Sequence, residues 1–185
     1  KMINKNICPN FIYVIDFYND SILLEYADGD SRILFKNYFD TDIYYSFLFQ
    51  SLISIHCFYN FTFLYHRDFK LANILYKKIN DNICFCYKIN NDIFYIPSHG
   101  FLFMLSDFGS AKFKLDGRNT DIVNLNNDIL NIINNNNLLN KFTSQINSIL
   151  TYHYNIIEIL YKYFSIFLHK PYKKYSYFFF NINDL

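Results

Sequence analysis

Apolar runs separated by polar breaks divide the chain into predicted elements. Residues 11–17 (FIYVIDF) and 21–26 (SILLEY) are apolar and β-prone, and Asn19-Asp20 between them is turn chemistry, so the pair predicts a hairpin. Residues 27–31 (ADGDS) form a polar break with a glycine. A mostly apolar helix is expected over about 42–60, where Phe47, Leu48, Leu52 and Ile55 recur at helical spacing. A polar, charged loop over 66–73 follows, then a short strand at 74–76. Residues 77–100 read as a polar and aromatic insertion with turn signals at Asn80-Asp81-Asn82 and Asn90-Asn91-Asp92. Its expected strands are 83–89 and 93–96. Residues 101–105 (FLFML) are a further buried strand. Helices are expected over about 121–134 and 143–167, with the Asn tetrad 134–137 as a loop. Strands first, then helices, with a strand pair carrying the polar loops, argue an α+β class.

Composition and charge narrow the function classes. Lys and Arg number 17 against 16 Asp and Glu, a net charge of +1, so there is no basic excess to neutralise a nucleic-acid backbone. The 52% hydrophobic fraction argues against global disorder. The 22 Phe and 18 Tyr, with no Trp, reflect codon bias toward AT-rich triplets, so Asn-rich stretches carry little meaning. Residues 43–65 contain no Lys, Arg, Asp or Glu and are long enough to span a bilayer, but Ser46, Gln50, Ser51, Ser54, His56, Asn60 and Thr62 interrupt them. The expectation is a buried core helix and no membrane span. Cys8, Cys57, Cys84 and Cys86 do not form a disulfide framework and are expected to be reduced thiols of an intracellular protein. Cys84 and Cys86 lie on one side of a predicted strand and lack the further ligands a zinc site needs.

Chemistry concentrates in two short motifs. Residues 66–73 read His66-Arg67-Asp68-Phe69-Lys70-Leu71-Ala72-Asn73, and residues 107–109 read Asp107-Phe108-Gly109. Each abuts an expected strand, 74–76 and 101–105. Together they resemble the catalytic loop (H-R-D-x-K-x-x-N) and the metal-binding D-F-G of eukaryotic-type protein kinases. The resemblance implies a kinase-like α+β fold: a partial small lobe of two strands and a hinge over 1–29, and a mainly helical large lobe over 30–185. It implies ATP and Mg2+ as cofactors, with Asp107 and Asn73 as metal ligands, Asp68 as the base that accepts the substrate hydroxyl proton, and Lys70 beside the transferred phosphate. Lysine at that position resembles the serine/threonine rather than the tyrosine kinases. In the family the counterpart of His66 packs on the D-F-G phenylalanine, here Phe108. That of Arg67 receives an activation-loop phosphate in many members, and that of Asp121 anchors the catalytic-loop backbone.

The resemblance extends upstream. Residues 21–29 resemble a fifth strand and hinge, which would set Leu24 as gatekeeper, Glu25, Tyr26 and Ala27 along the adenine, and Leu75 beneath it. Residues 7–10 resemble the link before the fourth strand. Three departures stand out. No glycine-rich loop, strand lysine or partner helix glutamate occurs; the chain begins with Lys1 rather than Met, so a missing upstream segment is expected, and whether it carries these elements divides an active enzyme from a scaffold. Only residues 110–120 separate Gly109 from Asp121, without an A-P-E, which resembles compact kinases that need no activation-loop phosphorylation. Residues 74–106 separate Asn73 from Asp107, an unusually long gap. Pro97-Ser98-His99-Gly100-Phe101 at its end resembles kinases of large DNA viruses, including the poxvirus type.

The expectation is therefore a serine/threonine protein kinase that transfers the ATP γ-phosphoryl group to a protein substrate, in the host cytoplasm or the virion. A pseudokinase scaffold, suggested by the missing lysine, and a small-molecule phosphotransferase, which shares the Asp-x-x-x-x-Asn spacing, are the alternatives.

Overall fold

A computed structural model describes residues 6–38, 40–113, 121, 125, 128 and 155–184. The architecture among them is α+β. A hairpin, β1 (Val14–Tyr18) and β2 (Ser21–Leu24), precedes β3 (Gly29–Asp30) and two helices, α1 (Ser31–Asn37) and α2 (Thr41–Thr62). Four strands follow: β4 (Ile74–Lys78), β5 (Ile83–Ile89), β6 (Asp92–Pro97) and β7 (Phe101–Leu105). A helix, α3 (Ile156–Tyr163), and a strand, β8 (Ser176–Asn181), complete the described elements. The strands form a β1–β2 ribbon, an antiparallel β3-β4-β7 sheet, and a β6-β5-β8 sheet in which β8 joins β5 in parallel.

Local chemistry explains the helix starts. Asp30 caps α1 by accepting from the Ile33 amide, and Asp40 caps α2 by accepting from the amides of Asp42 and Ile43. α2 is apolar on nearly every side and is buried as such a helix must be, with Phe47, Phe49, Ile53 and Cys57 fully enclosed. It ends at Phe63, whose left-handed backbone donates its amide to the Tyr59 carbonyl. The core is largely aromatic. Phe49 meets Tyr87, Phe94 and Phe164 at centroid distances of 5.2, 5.3 and 5.3 Å, so one side chain joins α2 to β5, β6 and the end of α3. Phe47 packs edge-on against Phe103 of β7 at 5.1 Å.

Several expectations change. The 11–17 run is not one strand. Phe11 and Ile12 are buried and lie beside Leu105, where Ile12 donates its amide to the Leu105 carbonyl; only residues 14–18 pair in the hairpin. The hairpin's side chains face solvent, as Phe17 at 69% exposure illustrates. The break at 27–31 carries β3 and the cap of α1, a helix the sequence pattern did not predict, because its seven residues are too few to establish a period. The helix expected over 143–167 is not continuous. Asn155 is extended and caps a new start by accepting from the Ile157 amide, and residues 165–167 tighten into a 3-10 turn. Residues 143–154, like the expected 129–134 helix end and the 134–137 loop, lie outside the described residues.

The 77–100 insertion is core rather than surface decoration. Cys84, Cys86, Tyr87, Phe94 and Ile96 are fully buried, and the sheet is completed by β8, which has no counterpart in the sequence reading. Gly100 joins β6 to β7 with φ of +83°, a conformation that disfavours any side chain. All four cysteines are buried free thiols. Among the described residues, no helix is long and apolar enough to cross a membrane.

Candidate active site

The 66–73 loop leaves α2 and is held in place by its backbone. Tyr65 exchanges both main-chain hydrogen bonds with Lys112, at 2.9 and 3.0 Å, which ties the start of the loop to the segment just after Gly109. Asp121, almost fully buried, accepts the His66 amide at 2.9 Å, and the amides of Arg67 and Phe69 also face its carboxyl. Burial nevertheless pushes the Asp121 carboxyl above the usual carboxylate range, against the pull of His66 and these amides. Asp128 accepts the Leu71 amide at 3.1 Å. The role expected for Asp121 thus has its geometric counterpart. Asp128 was missed, although Asp121, Leu125 and Asp128 recur at helical spacing, a signal that would have placed both carboxyls on one face.

The side chains of the loop converge. Lys70 Nζ lies 2.7 Å from Asp68 Oδ2. The Asn73 amide nitrogen donates to that oxygen and to the Asp68 carbonyl, both at 2.9 Å. The Lys70 hydrogen bond is the first cause that holds the Asp68 carboxyl below its ordinary value, and the same contact raises Lys70. Ser106, the residue before Asp107, donates both its amide and its hydroxyl to the Asn73 carbonyl at 2.9 Å. That pair of hydrogen bonds sets the two motifs side by side, and sequence reasoning missed it because a serine before D-F-G has no chemical signature of its own. Asp107 is exposed, and its charge is felt at Lys70. Arg67 and Asp107 both have left-handed backbones, with φ of 68° and 58°. Each such non-glycine residue costs on the order of 1 kcal/mol, and such strain persists where the surroundings over-determine it.

An aromatic cluster supports the loop from within. His66 meets Phe108 at 5.3 Å and Phe58 at 5.9 Å, and Phe58 stacks on Phe108 at 5.1 Å. The His66 Nε2 lies 2.9 Å from the Ser106 carbonyl, so that nitrogen carries the proton. His66 is thereby committed to packing and to an internal hydrogen bond.

The upstream residues are placed less uniformly. Leu24 ends β2 and is exposed, as is Tyr26 at 75%. Ala27 is half-buried, and so is Leu75 in β4, opposite Asp30 on one side and Met104 on the other. Glu25 uses its carboxylate within the protein: Oε1 accepts the Tyr13 amide at 2.9 Å and Oε2 pairs with Lys77 at 3.0 Å. Its own amide donates to the Tyr13 carbonyl. The Glu25 side chain therefore fastens the segment after β2 to β4.

For magnesium, the available donors are hard oxygens. Among the described residues, Asp107 is a solvent-facing carboxylate that accepts a hydrogen bond from the Gly109 amide at 3.4 Å, and Asn73 points its nitrogen at Asp68, which leaves its amide oxygen unused. Two protein oxygens suit an ion that completes its octahedron with water and phosphate. No cluster of three or more His, Cys, Asp or Glu side chains among the described residues is arranged to hold a metal ion by itself. A separate cavity of about 400 Å³, lined by His56, Tyr59, Tyr65, Asp121 and Asn155 among others, contains none of Asp68, Lys70, Asn73 or Asp107.

No family model matches the chain. It is 30% identical over 125 residues to a curated protein of Invertebrate iridescent virus 6 named as a probable serine/threonine-protein kinase. The match covers 66% of this chain and 23% of that protein, so the chain spans about a quarter of the length of the relative it matches. The chain is therefore related in sequence to a viral protein that carries the name of a kinase.

Proposed function

We propose that the chain is the catalytic portion of a serine/threonine protein kinase with a protein-kinase-like fold, close in type to those of large DNA viruses. The observation that carries this reading is the joint placement of Asp68, Lys70, Asn73 and Asp107 through the Ser106–Asn73 bonds. The kinase name of the viral relative supports it.

The chain's own residues suit phosphoryl transfer from ATP to a serine or threonine hydroxyl. Asp68 stays ionised because Lys70 and Asn73 both donate to its Oδ2. Its Oδ1 accepts nothing among the described residues and is the oxygen left to receive the hydroxyl proton as the substrate oxygen bonds to the γ-phosphorus and the bond to ADP breaks. Lys70, half-exposed and cationic, sits where negative charge collects on the transferred group. Asp107 and the Asn73 amide oxygen would hold Mg2+, which neutralises phosphate charge when bound with nucleotide. Leu24, Tyr26, Ala27 and Leu75 would border the adenine, with Glu25 bracing that segment rather than touching the base.

The test is phosphoryl transfer by the full-length protein to a protein serine, with an amino alcohol as the competing acceptor. Transfer to protein that disappears in Asp68→Asn supports the reading. Transfer to the amino alcohol alone would make the protein a small-molecule phosphotransferase, and absent transfer with intact folding would leave a scaffold.

A further inference from the structure

Behind β7 lies a buried polar network unlike the apolar packing around it. Asn10 donates its side-chain amide to the Phe103 carbonyl and to Gln50 Oε1, both at 2.9 Å. Its Oδ1 accepts the Tyr87 hydroxyl at 2.7 Å and the Cys8 thiol at 3.5 Å. Its main-chain carbonyl accepts the Leu105 amide at 3.0 Å. Gln50 Oε1 also accepts the Phe103 amide, while Gln50 Nε2 donates to Ser46 Oγ and to the Phe101 carbonyl. Ser46 in turn donates to the Pro97 carbonyl. Asn10, Gln50 and Tyr87 are fully buried.

Asn10 and Gln50 spend their side-chain hydrogen bonds on the main chain of β7 and on other members, Tyr87 bonds to Asn10, and Ser46 ties the network to the end of β6 through the Pro97 carbonyl. Burial pushes the Tyr87 phenol well up, so it remains a donor at any physiological pH. A satisfied network in a low-dielectric core is rigid, and losing one member leaves its partner buried and unpaired. Its load falls on Phe103 and Leu105, which lie four and two residues before Asp107. The Tyr87 hydroxyl comes from the insertion, so the insertion reaches the strand that ends at the active site.

We propose that Asn10, Gln50 and Tyr87 are positioning residues for Asp107, and that the 77–100 insertion sets the metal–nucleotide affinity of the site by gripping β7 from behind. This rests on the kinase reading above. The full-length protein is compared with Tyr87→Phe, which removes only the hydroxyl, and with Asp92→Asn, which takes the charge and one acceptor oxygen from the Tyr161 and His169 contacts at the far end of the hairpin and leaves the network intact. Two quantities are read: amide exchange of residues 103–107 without nucleotide, and ATP affinity as a function of Mg2+ concentration.

Tyr87→Phe is expected to speed exchange over 103–107 and to weaken Mg2+-dependent ATP binding by roughly tenfold each. Asp92→Asn is expected to change neither, whatever it does to the melting temperature. Unchanged exchange in Tyr87→Phe overturns the proposal, as does an equal change in both variants. If the parent protein binds no Mg·ATP, the kinase reading fails, and the grip on β7 is then judged on exchange alone. Should Tyr87→Phe not fold, Ser46→Ala is read in the same way, with a smaller effect of the same sign.

Discussion

Asn73 donates its side-chain nitrogen to both the carboxylate and the carbonyl of Asp68, at 2.9 Å each, while its own carbonyl takes two bonds from Ser106. One residue thus orients the candidate base and fixes the strand end that carries Asp107. In the phosphoryl-transfer reading, Asp68→Asn should lower kcat by about 10²- to 10⁴-fold, the range for loss of a positioned proton acceptor, while ATP binding stays near the parent value. Steady-state kinetics with calorimetric ATP titration measure both, and a parent-like kcat would remove Asp68 from the mechanism.

Lys70 holds the Asp68 carboxyl below its ordinary value, chiefly through their hydrogen bond. The carboxylate form is therefore kept at lower pH than a free aspartate would allow, and activity should fall only as pH drops through that depressed value. Lys70→Met should raise the acid midpoint of the kcat/KM profile as well as lower the rate. A midpoint that stays put would mean that another group sets the ionisation of Asp68.

His56 sits near the end of α2 with Asn60 beside its ring, and burial lowers its pKa to about 4. The unfolded chain binds this proton near pH 6.5, before the folded one does, so stability is full above 6.5 and declines as pH falls toward 4. The decline should amount to about 3 kcal/mol by pH 4. His56→Gln should flatten that part of the stability–pH curve, as read by urea unfolding at a series of pH values.

Phe94 of the insertion is fully buried against Phe49 and Tyr161, whereas Phe179 of β8 is 57% exposed. Phe94→Ala should cost about 3–5 kcal/mol through lost burial and the cavity left behind. Phe179→Ala should stay within about 0.5 kcal/mol. Similar denaturant midpoints for the two variants would show that the insertion is not part of the core.

The candidate site was more legible than the fold around it. The candidate residues are close in sequence, 66–73 and 107–109, and their types and spacing alone single them out. Glu25 was expected along the adenine, and the partners its carboxylate takes instead, the Tyr13 amide and Lys77, come from separate segments that no local pattern links. Ser106 and Asp128 were missed because their contribution is geometric: each satisfies or makes a main-chain hydrogen bond that exists only once the loop is folded.

The sequence by itself determined the α2 helix, the strands expected at 74–76, 83–89 and 93–96, and the choice of Asp68, Lys70, Asn73 and Asp107 as candidates, because helical or strand periodicity and motif spacing are local properties. Tertiary structure alone decided that residues 11–12 leave the hairpin for β7, that β8 joins β5 in parallel, and that the insertion's aromatics are core. Those outcomes depend on which apolar faces and unpaired main-chain groups meet across long separations, and burial is a property of the assembled chain rather than of any stretch within it.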